Sequence, residues 1–180
     1  MSAPTFNEDK QAWIKYGAQA ELDFLNHLNA NGGFNGVHVA LNPNKATDPY
    51  THDYVAGIKA DLKTVRKPFF KAQEFYGIDP QYAITFNLKD SARYRTLYPN
   101  IAVIFDVLWE EPHTTKTLAG GDTRSVKPMH HVYIGFLDSV MGAIADAGNK
   151  IHAYLGRQYR NDGNAKYSWV FDARKLHRLV

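Results

Sequence analysis

Apolar residues near the N-terminus recur with the period of an α-helix. Between Asn7 and Asn31 they return every three or four positions, which places them on one face of a helix. Gly32 and Gly33 follow and provide a stop signal. The pattern predicts an amphipathic first helix whose buried face contains Trp13, Gly17, Ala20, Phe24 and Leu28.

Several segments after this helix are rich in β-branched and aromatic residues, which favour strands. The intervening segments PFFKAQEFYGIDP and KDSARYRTLYPN have the composition of short helices, and glycine and proline end the first of them. The predicted strands are VHVAL (37–41), DYV (53–55), IKADLKTV (58–65), YAITFNL (82–88) and IAVIFDVLW (101–109).

The C-terminal part of the chain continues this alternation. Glu110–His131 is polar and predicts a long loop or a hairpin with a flexible tip, after which come the strand VYIG and a helix at about Phe136–Gly148. YSWVFDARKLHRLV predicts a late strand that leads into a terminal turn. This order predicts a mixed α/β fold in which helices flank a central mixed sheet. We expect one domain over residues 1–180, with an inserted loop or hairpin at about 110–131.

Composition narrows the class of protein. The chain has 180 residues, 44% of them hydrophobic, which suits one globular domain with its own core. No apolar run approaches the roughly 20 residues that span a bilayer, and the N-terminus lacks the order of a signal peptide. We therefore expect a cytoplasmic protein that does not bind membranes. Cysteine is absent, which excludes disulfides, thiolate zinc sites and a cysteine nucleophile.

The charge balance permits nucleic acid as a partner without requiring it. Lysine and arginine number 21 against 18 acidic residues, which gives a formal charge of +3. Their distribution is more informative, because the basic residues gather in groups with aromatic residues among them; solvated surface charge is the alternative. The groups are Lys59, Lys63, Arg66, Lys67 and Lys71, then Arg157 and Arg160, then Arg174, Lys175 and Arg178.

Two strand segments joined by a short turn carry charges that strands and cores usually avoid. In YTHDYVAGIKADLKTVRKPFF, which spans Tyr50–Phe70, a three-residue loop at 56–58 would pair residue 53 with residue 61. Asp53 then faces Asp61, and directly opposed like charges destabilise a strand pair. Asp61 and Lys63 share a face because side chains alternate along a strand. The stretch therefore predicts two carboxylates and one ammonium in one place, where a divalent cation would reverse the repulsion.

An acidic residue also interrupts the apolar stripe of the first helix. Glu21 has the spacing of Gly17, Phe24 and Leu28, which puts it on or beside the face that packs against the sheet. A buried acid needs a partner, and the charged hairpin suggests a shared metal site. The alternative is that Glu21 lies at the edge of this face and reaches solvent.

These features in this order resemble the PD-(D/E)xK nuclease superfamily, the restriction-endonuclease-like fold that includes Holliday-junction resolvases and many phage nucleases. The similarity covers about residues 10–109: a helix with a glutamate, a strand, an aspartate that opens a second strand, a short turn, and D-x-K on a third strand. Two positions depart from the pattern. His52 stands in place of the usual proline before Asp53, and Asp61 stands in place of the more frequent glutamate.

The resemblance implies hydrolysis of DNA phosphodiester bonds with Mg²⁺ or Mn²⁺. It assigns metal binding to Asp53, Asp61 and the backbone carbonyl of Leu62, since hard cations prefer oxygen ligands. Glu21 would complete the site directly or through water. Lys63 would orient the attacking water or offset charge in the transition state.

Basic residues close to this motif are expected to hold neighbouring phosphates. For His52 a proton carrier and a simple turn residue are the alternatives to a phosphate contact. Phe69, Phe70 and Tyr76 would either stack on bases or pack in the core. The expected DNA-binding residues are His52, Arg66, Lys67 and Lys71.

Two classes of function remain open at this point. The first is a metal-dependent endonuclease in genome processing, recombination or conflict between phage and host, including a phage-encoded protein in a bacterial cell. The second is a nucleic-acid- or protein-binding module that keeps the nuclease fold without catalysis. Superfamily members that cut both strands are often dimers, so a homodimer is a further expectation.

Other polar residues give weaker signals. His130 and His131, with His113 and His152, suggest zinc only weakly, because no ordered ligand spacing accompanies them. Asp106 and Asp172 interrupt apolar strand segments, and we expect each to pair with an arginine or to cap a turn.

Overall fold

The computed structural model describes residues 10–31, 39–48, 50–118, 120–154 and 165–180. Four expectations from the sequence fall wholly or partly outside these ranges. They are the start of the first helix at Asn7, its stop at Gly32 and Gly33, the beginning of the 37–41 strand, and the basic pair Arg157 and Arg160.

The described helices and strands follow the order that the hydrophobic pattern predicts. Short 3₁₀ helices lie at Pro43–Ala46 and Ala173–Lys175. In chain order the elements are α1 (Lys10–Ala30), β1 (Ala40–Leu41), β2 (Tyr54–Val55), β3 (Lys59–Val65), α2 (Ala72–Tyr76), β4 (Ala83–Asn87), α3 (Leu88–Leu97), β5 (Ala102–Trp109), β6 (Thr115–Thr117), β7 (Thr123–Ser125), β8 (Met129–Phe136), α4 (Leu137–Asp146), β9 (Ile151–Ala153), β10 (Tyr167–Asp172) and β11 (His177–Arg178).

A mixed sheet forms the centre of the fold, as predicted. Within the described residues it has six strands in the order β1-β2-β3-β5-β8-β11. β3 and β5 are parallel, whereas the other neighbours are antiparallel. A parallel pair needs a long crossover connection, and the segment from α2 through β4 to α3 supplies it.

Helices cover both faces of this sheet because its strands alternate their side chains. On β5, Ile104 faces α1 and packs with Phe24 and Leu28. The neighbouring Phe105 faces the opposite side, where α3 and α4 pack. The structure is therefore a mixed α/β fold with helices flanking the central sheet.

β4 does not join the central sheet. It pairs with β10, and β10 pairs with β9, which gives a separate antiparallel sheet against the α3 and α4 side of the core. The strand assignment at 82–88 was correct, but its expected place in one central sheet was wrong. Strand propensity describes a pleated, half-buried segment and leaves the choice of neighbour to distant residues.

The hairpin between β2 and β3 has the predicted register at two of the three predicted pairs; the third, between residues 53 and 61, is not part of the strand pairing because β2 begins only at Tyr54. Tyr54 pairs with Ala60 and Val55 pairs with Lys59 across a loop at residues 56–58. Gly57 adopts a φ of 70°, a left-handed conformation that glycine enters without the penalty of a Cβ atom. This short loop fixes which residues of β2 and β3 face each other.

The 110–131 segment contains a hairpin of β6 and β7, followed by a strand longer than the sequence indicates. β8 begins at Met129, so His130 and His131 lie inside it rather than before it. The physical reason is that β8 pairs along the whole of β5, from Trp109 with Met129 to Ala102 with Phe136. The apolar VYIG segment marks only its most buried part.

The helix termini follow local chemistry. α3 begins directly after β4 because the Asn87 side chain accepts a hydrogen bond from the backbone N–H of Lys89. α2 ends at Gly77, which has a φ of 71°. Among the helices in the described ranges, none has both the length and the apolar composition to cross a membrane.

Candidate active site

Asp53 directly precedes β2. It lies beside the part of the β3 edge that β2 does not pair with. Its backbone N–H donates to the carbonyl of Ala60 at 3.0 Å. Its Oδ2 atom accepts a hydrogen bond from the backbone N–H of Leu62 at 2.7 Å. The carboxylate thus takes the place of a strand partner for Leu62, and only 5% of Asp53 is exposed.

Asp61 lies on the β3 face that looks toward α3 and is 6% exposed. Its Oδ2 atom is 2.6 Å from Lys63 Nζ, and the carboxylate also interacts with the Tyr94 hydroxyl. Lys63 Nζ donates to Asp90 Oδ2 at 2.8 Å. Asp90 stands in the first turn of α3 and is also 3.2 Å from Arg93. The alternation along β3 therefore places Asp61 and Lys63 together, as predicted, and α3 adds Asp90.

The two aspartates have different electrostatic environments. Burial and the charge of Asp61 raise the pKa of Asp53 to about 7. Burial alone would raise the pKa of Asp61 too, but the adjacent charge of Lys63 holds it below the usual value. The pKa of Lys63 lies well above its usual value, since the charge of Asp61 outweighs the effect of burial. At neutral pH the pair therefore contains one firmly ionised carboxylate and one that is close to its midpoint.

Lys45 is also part of this site, and it is absent from the site residues that the sequence predicts. It lies in the 3₁₀ helix at Pro43–Ala46, and its Nζ atom contacts both Glu21 Oε1 and Asp53 Oδ1. Asn42 caps this turn, and its side chain also donates to the carbonyl of His52. The N-P-N-K sequence is a recognisable turn signal, but it gives no indication of the carboxylates that the lysine meets.

Glu21 reaches the site through Lys45. The Tyr54 hydroxyl donates to the backbone carbonyl of Glu21 at 2.9 Å, which attaches α1 to β2. The Glu21 side chain is 18% exposed and pairs with the Lys45 ammonium. Glu21 is thus at the edge of the apolar face of α1 and is also connected to Asp53.

The described charges of the site do not cancel. Glu21, Asp53, Asp61 and Asp90 supply carboxylates, and Lys45 and Lys63 supply ammonium groups. With Arg93 included, the group keeps a negative charge when Asp53 is ionised. Lys45 stands between Glu21 and Asp53. The described residues contain no group of three or more His, Asp or Glu side chains arranged to hold a metal ion.

The other predicted DNA-binding residues lie in different surroundings. His52 is half-buried beside the ring of Tyr98, with 6.0 Å between the ring centroids. Lys67 is exposed. Lys71 lies 5.2 Å from the ring centroid of Phe75. The contacts that they are predicted to make with DNA remain predictions.

Arg66 makes a buried ion pair on the opposite, α1-facing side of the sheet. Its guanidinium contacts Asp106 Oδ2 and donates to the Asp106 carbonyl at 2.7 Å. His130 Nε2 is 2.7 Å from Asp106 Oδ1. Asp172 caps the Ala173–Lys175 turn and pairs with Arg174. The expectation that Asp106 and Asp172 pair with arginine or cap a turn is confirmed.

The aromatic residues after β3 pack among themselves. Phe70 is buried, while Phe69 and Tyr76 stack edge to face at 5.5 Å and join the cluster around Ala72. The Tyr76 hydroxyl also lies 3.2 Å from His152 Nδ1. Core packing, one of the two alternatives for these rings, accounts for their positions.

Asp53→Asn is expected to stabilise the protein in EDTA at pH 8 by about 1–2 kcal/mol, because it removes a carboxylate that burial and Asp61 disfavour. An aspartate in the unfolded chain has a pKa of about 3.9, below the value of about 7 in the folded protein. The folded state therefore binds the proton more tightly. The stabilising contribution is complete below about pH 4 and is lost as the pH rises through about 7.

Urea unfolding in EDTA between pH 4 and pH 8 measures this effect. Asp138→Asn, at an exposed position in the first turn of α4, is the matched control and should keep the wild-type pH dependence. A variant Asp53→Asn that is less stable than the wild type at pH 8 would show instead that Asp53 serves chiefly to hold Lys45.

Comparison with protein-family models, with curated proteins and with solved structures finds no match for this chain.

Proposed function

We propose that this protein is a metal-dependent nuclease that hydrolyses DNA phosphodiester bonds at Asp53, Asp61 and Lys63. The observation that carries the proposal is the pair of neighbouring, buried carboxylates, one of which has a pKa of about 7. A protein gains no stability from two buried like charges, and strongly shifted pKa values concentrate at functional sites. An arrangement this costly is best explained by chemistry.

The oxygen atoms of Asp53, Asp61 and Leu62 are of the chemical type that a hard divalent cation prefers. Asp61 is buried, and its Oδ2 atom lies 2.6 Å from the Lys63 ammonium, whose charge lowers the pKa of this carboxyl and keeps it ionised. A strand residue directs its N–H and C=O groups to the same edge, so the Leu62 carbonyl lies on the edge that Asp53 covers. Carboxylate and carbonyl oxygens are the ligands that Mg²⁺ and Mn²⁺ prefer. Asp53, Asp61 and Leu62 would hold the ion, and Glu21 would join them once Lys45 moves away.

A bound Mg²⁺ or Mn²⁺ would polarise the phosphate that is cut and would lower the pKa of a water molecule bound to the ion. The chain's own residues supply position and charge. Lys63 is held between Asp61 and Asp90, so its ammonium is fixed and remains protonated at neutral pH. A fixed cation at this point stabilises the negative charge that grows on the phosphate oxygens during attack.

Lys45 has a separate role in the proposal. In the metal-free protein its ammonium offsets the charges of Glu21 and Asp53 and keeps the two carboxylates close together. Its side chain is partly exposed, so it can turn toward the surface when a divalent cation takes over this neutralisation. It then becomes available to a phosphate of the substrate.

We also infer a restriction-endonuclease-like core. The support is the element order, in which α1 precedes the antiparallel strands β1, β2 and β3, and a crossover leads to β5 parallel to β3. Asp53 directly precedes β2, while Asp61 and Lys63 lie on β3. This is the arrangement on which the resemblance to PD-(D/E)xK nucleases depends.

The alternative function is a nucleic-acid- or protein-binding module that keeps this fold without catalysis. The observation in its favour is Lys45, whose ammonium already neutralises two of the expected metal ligands. In such a protein the ion pairs would be permanent and the cluster purely structural.

A cleavage assay distinguishes these functions. Supercoiled plasmid and branched DNA are incubated with the purified protein in Mg²⁺, Mn²⁺ or EDTA, and products are separated on gels. We expect cleavage with either metal and none in EDTA. DNA that is shifted on a native gel but left intact in both metals would contradict the nuclease proposal and favour the binding module.

A further inference from the structure

A lysine, a tyrosine and a histidine form a small group beside the carboxylate pair. Lys59 is the first residue of β3 and is exposed. Its Nζ atom lies over the ring of Tyr98, 4.9 Å from the centroid. His52 meets the same ring edge to face at 6.0 Å. These three residues come from β3, from the end of α3 and from the loop before β2.

This group is close to the proposed catalytic residues. Lys59 precedes Asp61 by two positions on one strand, so both side chains point to the same face about 7 Å apart along the strand. His52 directly precedes Asp53. Burial and the charge of Lys59 lower the pKa of His52, while the charge of Asp61 opposes this change. His52 therefore lies within electrostatic range of both the lysine and the aspartate.

The contact with Tyr98 restricts an otherwise mobile side chain. An exposed lysine samples many rotamers, and holding it in one of them costs entropy when a ligand binds. A cation over an aromatic face is attracted by the negative potential of the ring, which favours this one position of the ammonium. Tyr98 is itself fixed at the C-terminus of α3, where its N–H donates to the Tyr94 carbonyl at 2.8 Å. The Lys59 ammonium is thus pre-organised at the edge of the site.

An open cavity of about 320 Å³ begins at Lys59. Its walls are the hairpin loop at Gly57 and Ile58 and the turn between α3 and β5 from Leu97 to Ile101. Leu97 leaves 58% of its surface exposed there. Mostly apolar walls with one cation at the rim suit a ligand that has a flat or apolar body and one anionic group.

We propose that Lys59, positioned by Tyr98, binds the DNA phosphate next to the one that is cut, and that the adjoining cavity receives the sugar and base of that nucleotide. The inference rests on the proposed function, since the carboxylate pair defines where the cut phosphate lies. Lys59 and Asp61 lie two residues apart on one face of β3, so a phosphate held by Lys59 would be a neighbour of one held at Asp61. Lys59 is the binding residue, and Tyr98 is a positioning residue.

Salt dependence of DNA binding tests this contact without relying on cleavage. Each phosphate neutralised on duplex DNA contributes about 0.9 to the slope of log K against log salt. We expect Lys59→Gln to reduce the slope by about that amount. Fluorescence anisotropy of a labelled duplex in EDTA, between 50 and 200 mM salt (about the range over which the effect is large), gives the slope while no cleavage occurs.

The tyrosine provides a second and more selective readout. Tyr98→Phe keeps the aromatic face and should retain the wild-type slope, whereas Tyr98→Leu removes the face and should weaken binding about 2- to 5-fold at low salt, because the lysine is no longer held in one rotamer before DNA binds. Lys116→Gln is the matched control, because Lys116 is an exposed strand lysine in the β6–β7 hairpin. Thermal unfolding of each variant verifies that it is folded.

The outcomes separate this inference from the proposed function. Equal slopes for Lys59→Gln, Lys116→Gln and the wild type would overturn the phosphate contact even if the plasmid is cut. Equal effects of Tyr98→Phe and Tyr98→Leu would remove the positioning role, and a wild type that does not bind DNA in EDTA would overturn the inference altogether. The expected slopes with an uncut plasmid would leave the contact in place and contradict only the nuclease.

Discussion

Asp61→Asn should reduce the rate of metal-dependent DNA cleavage by on the order of 10³-fold, equivalent to roughly 4 kcal/mol of transition-state stabilisation. Asparagine keeps the shape of the side chain but removes its charge. The Asp61 carboxylate is the firmly ionised member of the pair, because Lys63 holds its pKa low. Its loss therefore removes the strongest proposed ligand for the cation. Initial rates of plasmid nicking in Mn²⁺ give the ratio.

The variant should remain folded, which makes a loss of cleavage interpretable. Lys63 keeps its contact with Asp90 at 2.8 Å, so the ammonium is not left unpaired in the core. Asp138→Asn provides the control, since it neutralises an exposed carboxylate on α4. Wild-type cleavage by Asp61→Asn would place the chemistry elsewhere on the protein.

Lys63→Met is the second change with a large expected effect, a loss of about 10²- to 10³-fold in cleavage rate. Methionine fills a similar volume without the charge. Lys63 is proposed to stabilise charge in the transition state rather than to bind the metal. Removing its positive charge should therefore leave Mn²⁺ binding intact or stronger, because Asp61 and Asp90 lose the cation that they now share.

Calorimetric titration with Mn²⁺, together with cleavage rates, separates these two roles. Asp61→Asn should lose both metal binding and cleavage, whereas Lys63→Met should lose cleavage alone. Lys116→Met removes the charge of an exposed lysine in the β6–β7 hairpin and should behave as the wild type. A Lys63→Met variant that cuts DNA at the wild-type rate would refute the assigned role.

The unfavourable electrostatic environment of Asp53 is consistent with the proposed function. A carboxylate that stabilises a fold usually has a lowered pKa in the folded protein, whereas the pKa of Asp53 is raised. Proteins commonly give up stability at sites that carry chemistry. Asp106 is a useful contrast within the same sheet: it is 2% exposed, but Arg66 and His130 keep its pKa below the usual value. One buried aspartate is thus fully compensated, and the other is not.

The local geometry of the hairpin could be predicted because its determinants lie close together in the sequence. The loop length fixes the register, Gly57 provides the turn, and alternation sets the faces of Asp61 and Lys63. The spacing of Glu21 on α1 likewise indicated that it lies near the sheet. These inferences use only the periods of helices and strands.

Contacts between distant segments could not be predicted in the same way. Lys45 meets Glu21 across 24 positions, and Lys63 meets Asp90 across 27. Nothing in the immediate sequence of either lysine specifies its partner. Such contacts depend on how α1 and α3 pack against opposite faces of the sheet.

The same limit applies to parts of the fold. Strand-forming residues identified β4, but packing placed it beside β10 in a second sheet. The early start of β8 depends on pairing with the full length of β5. His130 and His131 are polar and gave no strand signal of their own. Strand propensity therefore identifies a strand only where its residues are also buried in an alternating pattern.

An anomalous-scattering map from crystals soaked in Mn²⁺ tests the central claim most directly, since it locates the ion without assuming an activity. We predict a peak bounded by the Asp53 and Asp61 carboxylates and the Leu62 carbonyl, with the Lys45 ammonium turned away from Asp53. A map at saturating Mn²⁺ with no peak there, and with Lys45 still bridging Glu21 and Asp53, would contradict the proposed metal site.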